Sequence, residues 1–349
     1  MHGVIMAGGQ GSRLMPLTLT RPKPMVEVLG RPVIDFVKEA MVDAGIDHLV
    51  VTTGYRGEQL AEHVRTWVSD GVEARVNQEH APMGTAGSVG LLREELTETF
   101  VVGSGDAIAS FDIRALLKSH RAHDAKVTMA LWEVDDPTEF GIVGLSPGEH
   151  GEVDGQLRSG YIRRFLEKPT PQEAFSNVIN AGLYILEPEV FEHVPPGEKF
   201  DFSKQLFPRL LELGWPMYAQ TIDGVWFDVG QPSELLNAQK VLLEQHEDLP
   251  FRLPKALLPK EGSLVPKHLE GHPGVQASVV GSGSSVAQDA TLSNSMLMAD
   301  CTLEAEVSVS NSILGQGVLV QQGSSVDRCV VGDGVVVPPG HHRNARIPN

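Results

Sequence analysis

The C-terminal quarter of this chain repeats itself, and the repeat leaves few folds open. Ser293-Asn294-Ser295-Met296-Leu297 recurs seventeen residues later as Ser310-Asn311-Ser312-Ile313-Leu314, and Asp327-Arg328-Cys329-Val330-Val331 follows at the same offset. A branched or apolar residue returns every six positions: Val280, Val286, Leu292, Met298; then Leu314, Val320, Val326; then Val331, Val337. A six-residue beat inside a seventeen-residue period fits a three-sided coil of parallel strands with one turn clipped by a residue, the hexapeptide β-helix. Each coil buries its apolar residues only by stacking on the next. A loose run of hairpins is the alternative, since short apolar runs are ambiguous alone. Residues 275–340 are expected to hold three to four such coils.

Upstream, Pro250, Pro254, Pro259, Pro266 and Pro273 mark residues 248–274 as a stiff linker. Residues 1–247 read as one α/β domain. Val4–Met6, His48–Thr53, Glu73–Val76, Thr99–Val102 and Val127–Trp132 are β-rich, and helical patterns lie between them. That alternation predicts a mostly parallel, Rossmann-like sheet covered on both faces. Such sheets bind ligands beyond the carboxyl ends of their strands. Residues 135–230 are less regular and are read as the second half of the same domain, adding strands and a substrate wall.

The chain has 349 residues, with 28 Lys+Arg against 45 Asp+Glu and a net charge of −17. That field repels a polynucleotide, so no nucleic-acid partner is expected. A local cluster of cations could still bind a small phosphorylated ligand. No apolar run approaches the ~20 residues of a membrane span, and the N-terminus passes from Val4-Ile5-Met6 straight into a glycine turn, unlike a signal peptide. Two cysteines, Cys301 and Cys329, imply no disulfide scaffold. A cytoplasmic protein without membrane partners is the expectation.

Ala7-Gly8-Gly9-Gln10-Gly11-Ser12-Arg13 follows the first strand. Close glycines let backbone N–H groups approach an anion. No Lys-Ser/Thr follows the last glycine as in a Walker A loop, and no third glycine completes a dinucleotide fingerprint. A plain tight turn would also use such glycines. Arg13 and the proline-bracketed Lys23 of Arg21-Pro22-Lys23-Pro24 turn the segment into a candidate polyphosphate clamp. Asp106 lies just past a buried strand, and Asp228 follows a short apolar run. A lone Asp after a strand is often a cap or turn former. Brought together, two carboxylates suit Mg²⁺, which completes its shell with phosphate oxygens and water.

These segments together resemble the sugar-1-phosphate nucleotidylyltransferases over roughly residues 1–245. The resemblance runs through Gly8–Thr18 with Arg21–Met25, Pro82–Gly87, Gly105-Asp106, Glu167-Lys168-Pro169, Asn180-Ala181-Gly182 and Trp226–Gly230. Ser12 stands where Thr is more usual and keeps the hydroxyl. The tail, Glu139–Gly144 and Trp226–Pro232 look most like the GDP-mannose-forming members. The resemblance implies a GT-A-like nucleotidyltransferase sheet followed by a left-handed β-helix, with a nucleoside triphosphate and a sugar 1-phosphate as substrates. It implies a nucleotide site of Ala7, Gly8, Gly9, Gly11, Ser12, Glu79, Gly84 and Thr85, and a sugar site of Gly141, Glu167 and Asn180. Arg13, Lys23, Lys168, Asp106 and Asp228 become the catalytic set, the two aspartates holding Mg²⁺.

The chemistry would be in-line attack of the sugar-phosphate oxygen on the α-phosphorus, with pyrophosphate leaving. The nucleophile is already an anion, so positioning and electrostatic stabilisation dominate. Arg13 is assigned to the departing pyrophosphate, Lys23 to the triphosphate and Lys168 to the sugar phosphate. Seen alone, Glu167-Lys168 is equally a solvated pair at a strand end. Glu79 can only accept, which suits the adjacent N1–H and 2-amino donors of guanine; a slip onto Gln78 would instead read a pyrimidine. GTP with mannose 1-phosphate is therefore expected, with UTP or dTTP and a glucose or amino-sugar phosphate as the alternative. A non-catalytic sensor of nucleotide sugar would not need both metal carboxylates. The coil is too short, and His341 and His342 too terminal, for an acyltransferase, so a structural or homo-oligomerising role is expected.

Overall fold

The computed structural model describes residues 1–54 and 56–348. The chain divides into two compact units, one of Met1–Gly8 with Val37–Trp226, the other of Gly9–Phe36 with Phe227 onward. The glycine loop after the first strand thus groups with the C-terminal segment.

The first unit is built on a nine-stranded sheet: β1 (His2–Met6), β2 (His48–Thr53), β3 (Glu73–Gln78), β4 (Phe100–Ser104), β5 (Val127–Glu133), β6 (Gly141–Ser146), β7 (Ser159–Glu167), β8 (Val178–Leu186) and β9 (Met217–Thr221), in the order β3-β2-β1-β4-β8-β5-β9-β7-β6. The pairs β1–β2, β1–β4, β2–β3 and β5–β9 are parallel. Strand β8 runs against β4 and β5, and β7 against β6 and β9. The expected mostly parallel sheet therefore carries two reversed strands. Their presence reflects residues 135–230, where hairpin-like connections replace crossover helices.

The central strands β1, β4, β5 and β8 are buried almost throughout, which explains their unbroken apolar runs. Helices cover them: α1 (Ile34–Asp43), α2 (Gly57–Thr66), α3 (Gly84–Gly90), α4 (Ile113–Ala122) and α5 (Phe207–Glu212). Helix α4 buries Ile113, Leu116, Leu117 and His120, one stripe at helical spacing, and Asp112 caps it by accepting from the Ala115 N–H at 2.9 Å. A Cβ on Gly103 would fall 2.6 Å from Val37 Cγ2, so the glycine lets α1 seat on the sheet.

The second unit carries α6 (Pro232–Glu244) and the β-helix. Three parallel sheets form its sides, and their registers step by 17 residues, as in Val279↔Met296↔Ile313↔Val330. The last step, Val330↔Arg346, is 16 residues. Val280, Leu297, Leu314 and Val331 stack inside, as do Leu303, Val320 and Val337. The second serine of each repeat is buried: Ser278 Oγ accepts from the Ser295 N–H, Ser295 Oγ from Ser312, and Ser312 Oγ from Cys329, at 2.9–3.1 Å. The neighbouring Asn294, Asn311 and Arg328 take positive φ at the corners (45°, 48° and 52°). The coils are a left-handed β-helix. Strands Leu257–Lys260 and Ser263–Pro266 already belong to its first side, within the stretch expected as linker, and the last rung reaches Arg346–Ile347, beyond residue 340. Pro259 is tolerated because Leu257–Lys260 is the edge strand, and Pro266 because it is the last residue of its strand.

Candidate active site

In the sheet unit the candidate residues gather at the carboxyl edge of the parallel strands. The ends of β1, β2 and β3 are stitched together: the Ala7 N–H donates to Thr52 O at 2.8 Å, the Thr53 hydroxyl to Ala7 O at 3.3 Å, and the Glu79 N–H to Thr53 O at 2.8 Å. At Gly8 no atom lies within 4 Å of where a Cβ would be, so its backbone faces open space. Alternation along β3 sends neighbours to opposite faces. Gln78 packs on Gly57 at the start of α2, while Glu79 Oε2 accepts from the Met83 N–H at 3.1 Å.

Gly84 has φ 72°, and a Cβ there would sit 2.7 Å from Phe200 O. Main-chain bonds clamp this loop to residues 198–202: Gly87 N–H to Phe200 O and Phe200 N–H to Met83 O, both 2.8 Å. The Thr85 hydroxyl donates to Asp201 Oδ1 and accepts from the Phe202 N–H at 2.8 Å. Its side chain thus fixes the loop, and Thr85 is a loop-shaping residue in this structure.

Asp106 follows β4, and Ser104 Oγ donates to its Oδ1. The Gly105 N–H bonds Met6 O at 2.9 Å, tying this turn to the end of β1. Glu167 at the end of β7 pairs in register with Gly141, and Ile142 with Ile179 of β8. Gly141, Glu167 and Asn180 therefore share one corner. A Cβ on Gly141 would fall 2.7 Å from Glu167 Oε2. Asn180 Nδ2 donates to Tyr184 Oη at 2.8 Å and to Ser203 Oγ at 3.4 Å, and its Oδ1 accepts from the Gly182 N–H at 2.9 Å. Burial raises the Glu167 carboxyl above its ordinary range, against the opposing pull of Lys168 and Lys204 and a hydrogen bond from Ser203. Burial likewise raises the Tyr184 phenol. Lys168 is exposed, has φ 48°, and its Nζ lies 3.5 Å from Glu139 Oε2. Ser203, Lys204 and Tyr184 escaped the sequence reading; the Asp201–Lys204 run follows a proline-rich turn and carries no motif spacing.

In the second unit, Gly11 has φ 65°, and a Cβ on it would lie 2.8 Å from Lys23 Cβ, so the bare glycine lets the lysine stem lie across the loop. Thr18 Oγ1 donates to Gly11 O at 2.8 Å. Gly9 faces open space, and Ser12 begins a short helical turn. Lys23 is 7% exposed, and its Nζ lies 3.2 Å from Asp228 Oδ1. Gly230 marks where Arg13 joins them: a Cβ there would be 2.9 Å from Arg13 Nη2 and 3.3 Å from each Asp228 carboxylate oxygen. Glu234, in the first turn of α6, also faces this cluster. Burial first, then the Asp228 carboxylate, raises its carboxyl, and its Oε2 has no hydrogen-bond partner among the described residues. Sequence reading passed over Glu234 as an ordinary first-turn acid.

The arrangement offers a guanidinium and an ammonium at one carboxylate, a geometry that receives phosphate oxygens and a cation together. Asp106 and Asp228 are hard oxygen donors. Among the described residues no group of three or more His, Cys, Asp or Glu is placed to hold a metal. A carboxylate beside bound phosphate is a donor that Mg²⁺ accepts, since the ion takes one or two carboxylates and leaves most positions to phosphate and water.

A family model for nucleotidyl transferases matches residues 2–245, and one for the GlmU-like C-terminal hexapeptide region matches residues 263–343. A mannose-1-phosphate guanylyltransferase catalytic subunit beta from Danio rerio is 36% identical over 258 residues, covering 72% of this chain and 68% of the relative. A mannose-1-phosphate guanyltransferase from Saccharomyces cerevisiae is 36% identical over 261 residues, covering 74% and 68%. A beta-A relative from Xenopus laevis is 33% identical, and the match spans 65% of its length. A Bacillus anthracis crystal structure described as a glucose-1-phosphate thymidylyltransferase shares the fold, with a TM-score of 0.61 at 24% identity, covering 72% of this chain and 97% of that one. The chain belongs to the nucleotidyl transferase family.

Proposed function

We propose that this enzyme transfers GMP from GTP to mannose 1-phosphate, forming GDP-mannose and pyrophosphate. An oxygen of the sugar phosphate bonds to the α-phosphorus as the bond to the β-phosphate bridge breaks, and pyrophosphate carries away the electron pair. The observation that carries this reading is the meeting of Arg13, Lys23 and Asp228 around Gly230. Mannose and guanine are supported by the relatives' names, and guanine also by the acceptor-only Glu79, since Gln78 is engaged with α2.

Arg13 neutralises the departing pyrophosphate, and Lys23 the triphosphate near the reacting centre. Lys168, exposed and weakly paired, swings from Glu139 to the sugar phosphate. Glu167 and Asn180 hold sugar hydroxyls, with Gly141 leaving room for close approach. Asp106 and Asp228 would hold Mg²⁺. When bound, the ion supplies charge neutralisation and a template for the phosphates. Because two anions must meet, each donor acts chiefly on charge, and loss of one such donor costs roughly 10²–10³ in turnover.

We further propose that the protein acts as a homo-oligomer in the cytoplasm. Light scattering of the purified chain tests the assembly. A matrix of four nucleoside triphosphates against mannose and glucose 1-phosphates, scored by Mg²⁺-dependent pyrophosphate release, tests the reaction. GTP with mannose 1-phosphate should give the highest kcat/KM. Preference for UTP or dTTP would replace the substrates, and no release from any pair would leave a nucleotide-sugar sensor.

A further inference from the structure

The last coil of the β-helix departs from its own repeat, and both departures reach the loop that carries Arg13 and Lys23. One column of the coil reads Val279, Met296, Ile313, Val330 and then Arg346. The first four are buried apolar side chains. Arg346 instead donates through Nη1 to Arg13 O at 2.8 Å and to Met15 O at 2.5 Å. A second position, Asp333, falls seventeen residues after Gln316, which itself follows Ala299. Its Oδ1 accepts from the Gln316 N–H at 2.7 Å. Its Oδ2 accepts from Arg21 Nη2 at 2.7 Å and from the Thr20 hydroxyl. The loop is therefore gripped at both shoulders, at residues 13–15 and at residues 20–21.

We propose that Asp333 and Arg346 are positioning residues, through which the terminal coil of the β-helix sets the conformation of the phosphate-binding loop and so the turnover of the enzyme. The reading rests on Arg13 and Lys23 acting on phosphates. Both residues act on the loop, Arg346 through its carbonyls and Asp333 through Thr20 and Arg21. Each removes conformational freedom from a short loop built of three separate helical turns, Ser12–Leu14, Leu17–Leu19 and Lys23–Met25. A small displacement of a charge-bearing loop is enough to lower turnover sharply. The exposed Arg346 contacts add little to global stability, while the Arg21–Asp333 pair, 12% and 18% exposed, adds more.

The test is hydrogen exchange of the full chain without substrate, followed by steady-state kinetics, on Asp333→Ala, Arg346→Ala and Arg346→Lys. Arg343→Ala is the control, because Arg343 shares the last coil but pairs with Asp327. Amides of residues 11–22 should lose about tenfold in protection in the two alanine variants while the coil interior is unchanged. Turnover should fall roughly ten- to a hundredfold with KM within about threefold. Arg346→Lys should recover most of the loss, since an ammonium can bridge two carbonyls. Thr20→Val removes one of the two loop-side donors to Asp333, leaves Arg21 and the coil in place, and should loosen the same amides to a smaller extent, even if Asp333→Ala disturbs the coil. Unchanged exchange over residues 11–22, equal loosening by Arg343→Ala, or no recovery by Arg346→Lys overturns the proposal. Failure of the wild type to release pyrophosphate would instead remove the functional reading, and the exchange data would still decide the latch.

Discussion

Met83–Gly87 and Gly9–Met25 are both glycine-bearing loops at candidate ligand positions, yet the first is held largely by peptide groups, with Thr85 and Glu79 adding to them, and the second by side chains from distant parts of the chain. Residues 83–87 exchange main-chain bonds with residue 200, and the Cβ positions of Gly84 and Gly87 abut carbonyl oxygens at 2.7 and 2.6 Å. Residues 9–25 rely on Thr18, Asp333 and Arg346. A loop held by peptide groups is indifferent to most side chains but intolerant of bulk. A loop held by side chains can be retuned one contact at a time. The pair separates rigidity of a wall from adjustability of a charged grip.

The largest effect should come from the charged grip itself. Lys23→Ala should lower kcat roughly 10²–10³-fold with melting little changed, and Lys23→Ala combined with Asp228→Asn should cost far less than the product of the two, because the partners act as a unit. Stopped-flow pyrophosphate release reads it; full additivity would break the grouping. Next is the peptide-held loop. Gly84→Ala must both keep a positive φ and push against Phe200 O, for about 2–4 kcal/mol of destabilisation, seen as a lower denaturant midpoint at unchanged slope. A neutral result would mean the loop is not rigid.

Gly230→Ala sharpens the contrast. The added methyl meets the flexible end of Arg13, so stability should change by less than about 1 kcal/mol while kcat falls roughly tenfold. The smallest effect concerns pH. The Glu167 carboxyl is raised on folding, so the native state holds its proton longer than the unfolded chain. Stability from this group is full below the ordinary carboxyl range and declines as pH rises through the raised value. Glu167→Gln should flatten that decline in pH-dependent melting and match or exceed the wild-type midpoint at neutral pH, while weakening use of the sugar phosphate. A steeper decline in the variant would reverse the assignment.

The β-helix was legible because its period repeats in the letters themselves: Ser295 and Ser312 are one position of one ladder, and Asn294 and Asn311 one corner. The parallel strands were legible from unbroken apolar runs such as Val101-Val102. The reversal of β8 was not, since a strand's direction depends on its partners and Val178–Leu186 reads alike either way. Glycine motifs located Gly11 and Gly84, and their required conformations explain why. Thr85 has a hydroxyl suited to a ligand, but Asp201 and the Phe202 N–H engage it, which only the fold reveals. Ser203, Glu234, Asp333 and Arg346 carry no local pattern; each gains its role from a neighbour far along the chain.

Repeat arrays ordinarily tolerate loss of a whole unit at a cost limited to that unit's share of stability. Excising one turn here would keep every ladder in step yet draw the terminal rung back by about one strand spacing, ~4.8 Å. That distance is longer than either grip on the Arg13 loop. The number of turns would then be fixed as a ruler is, by where its end must fall.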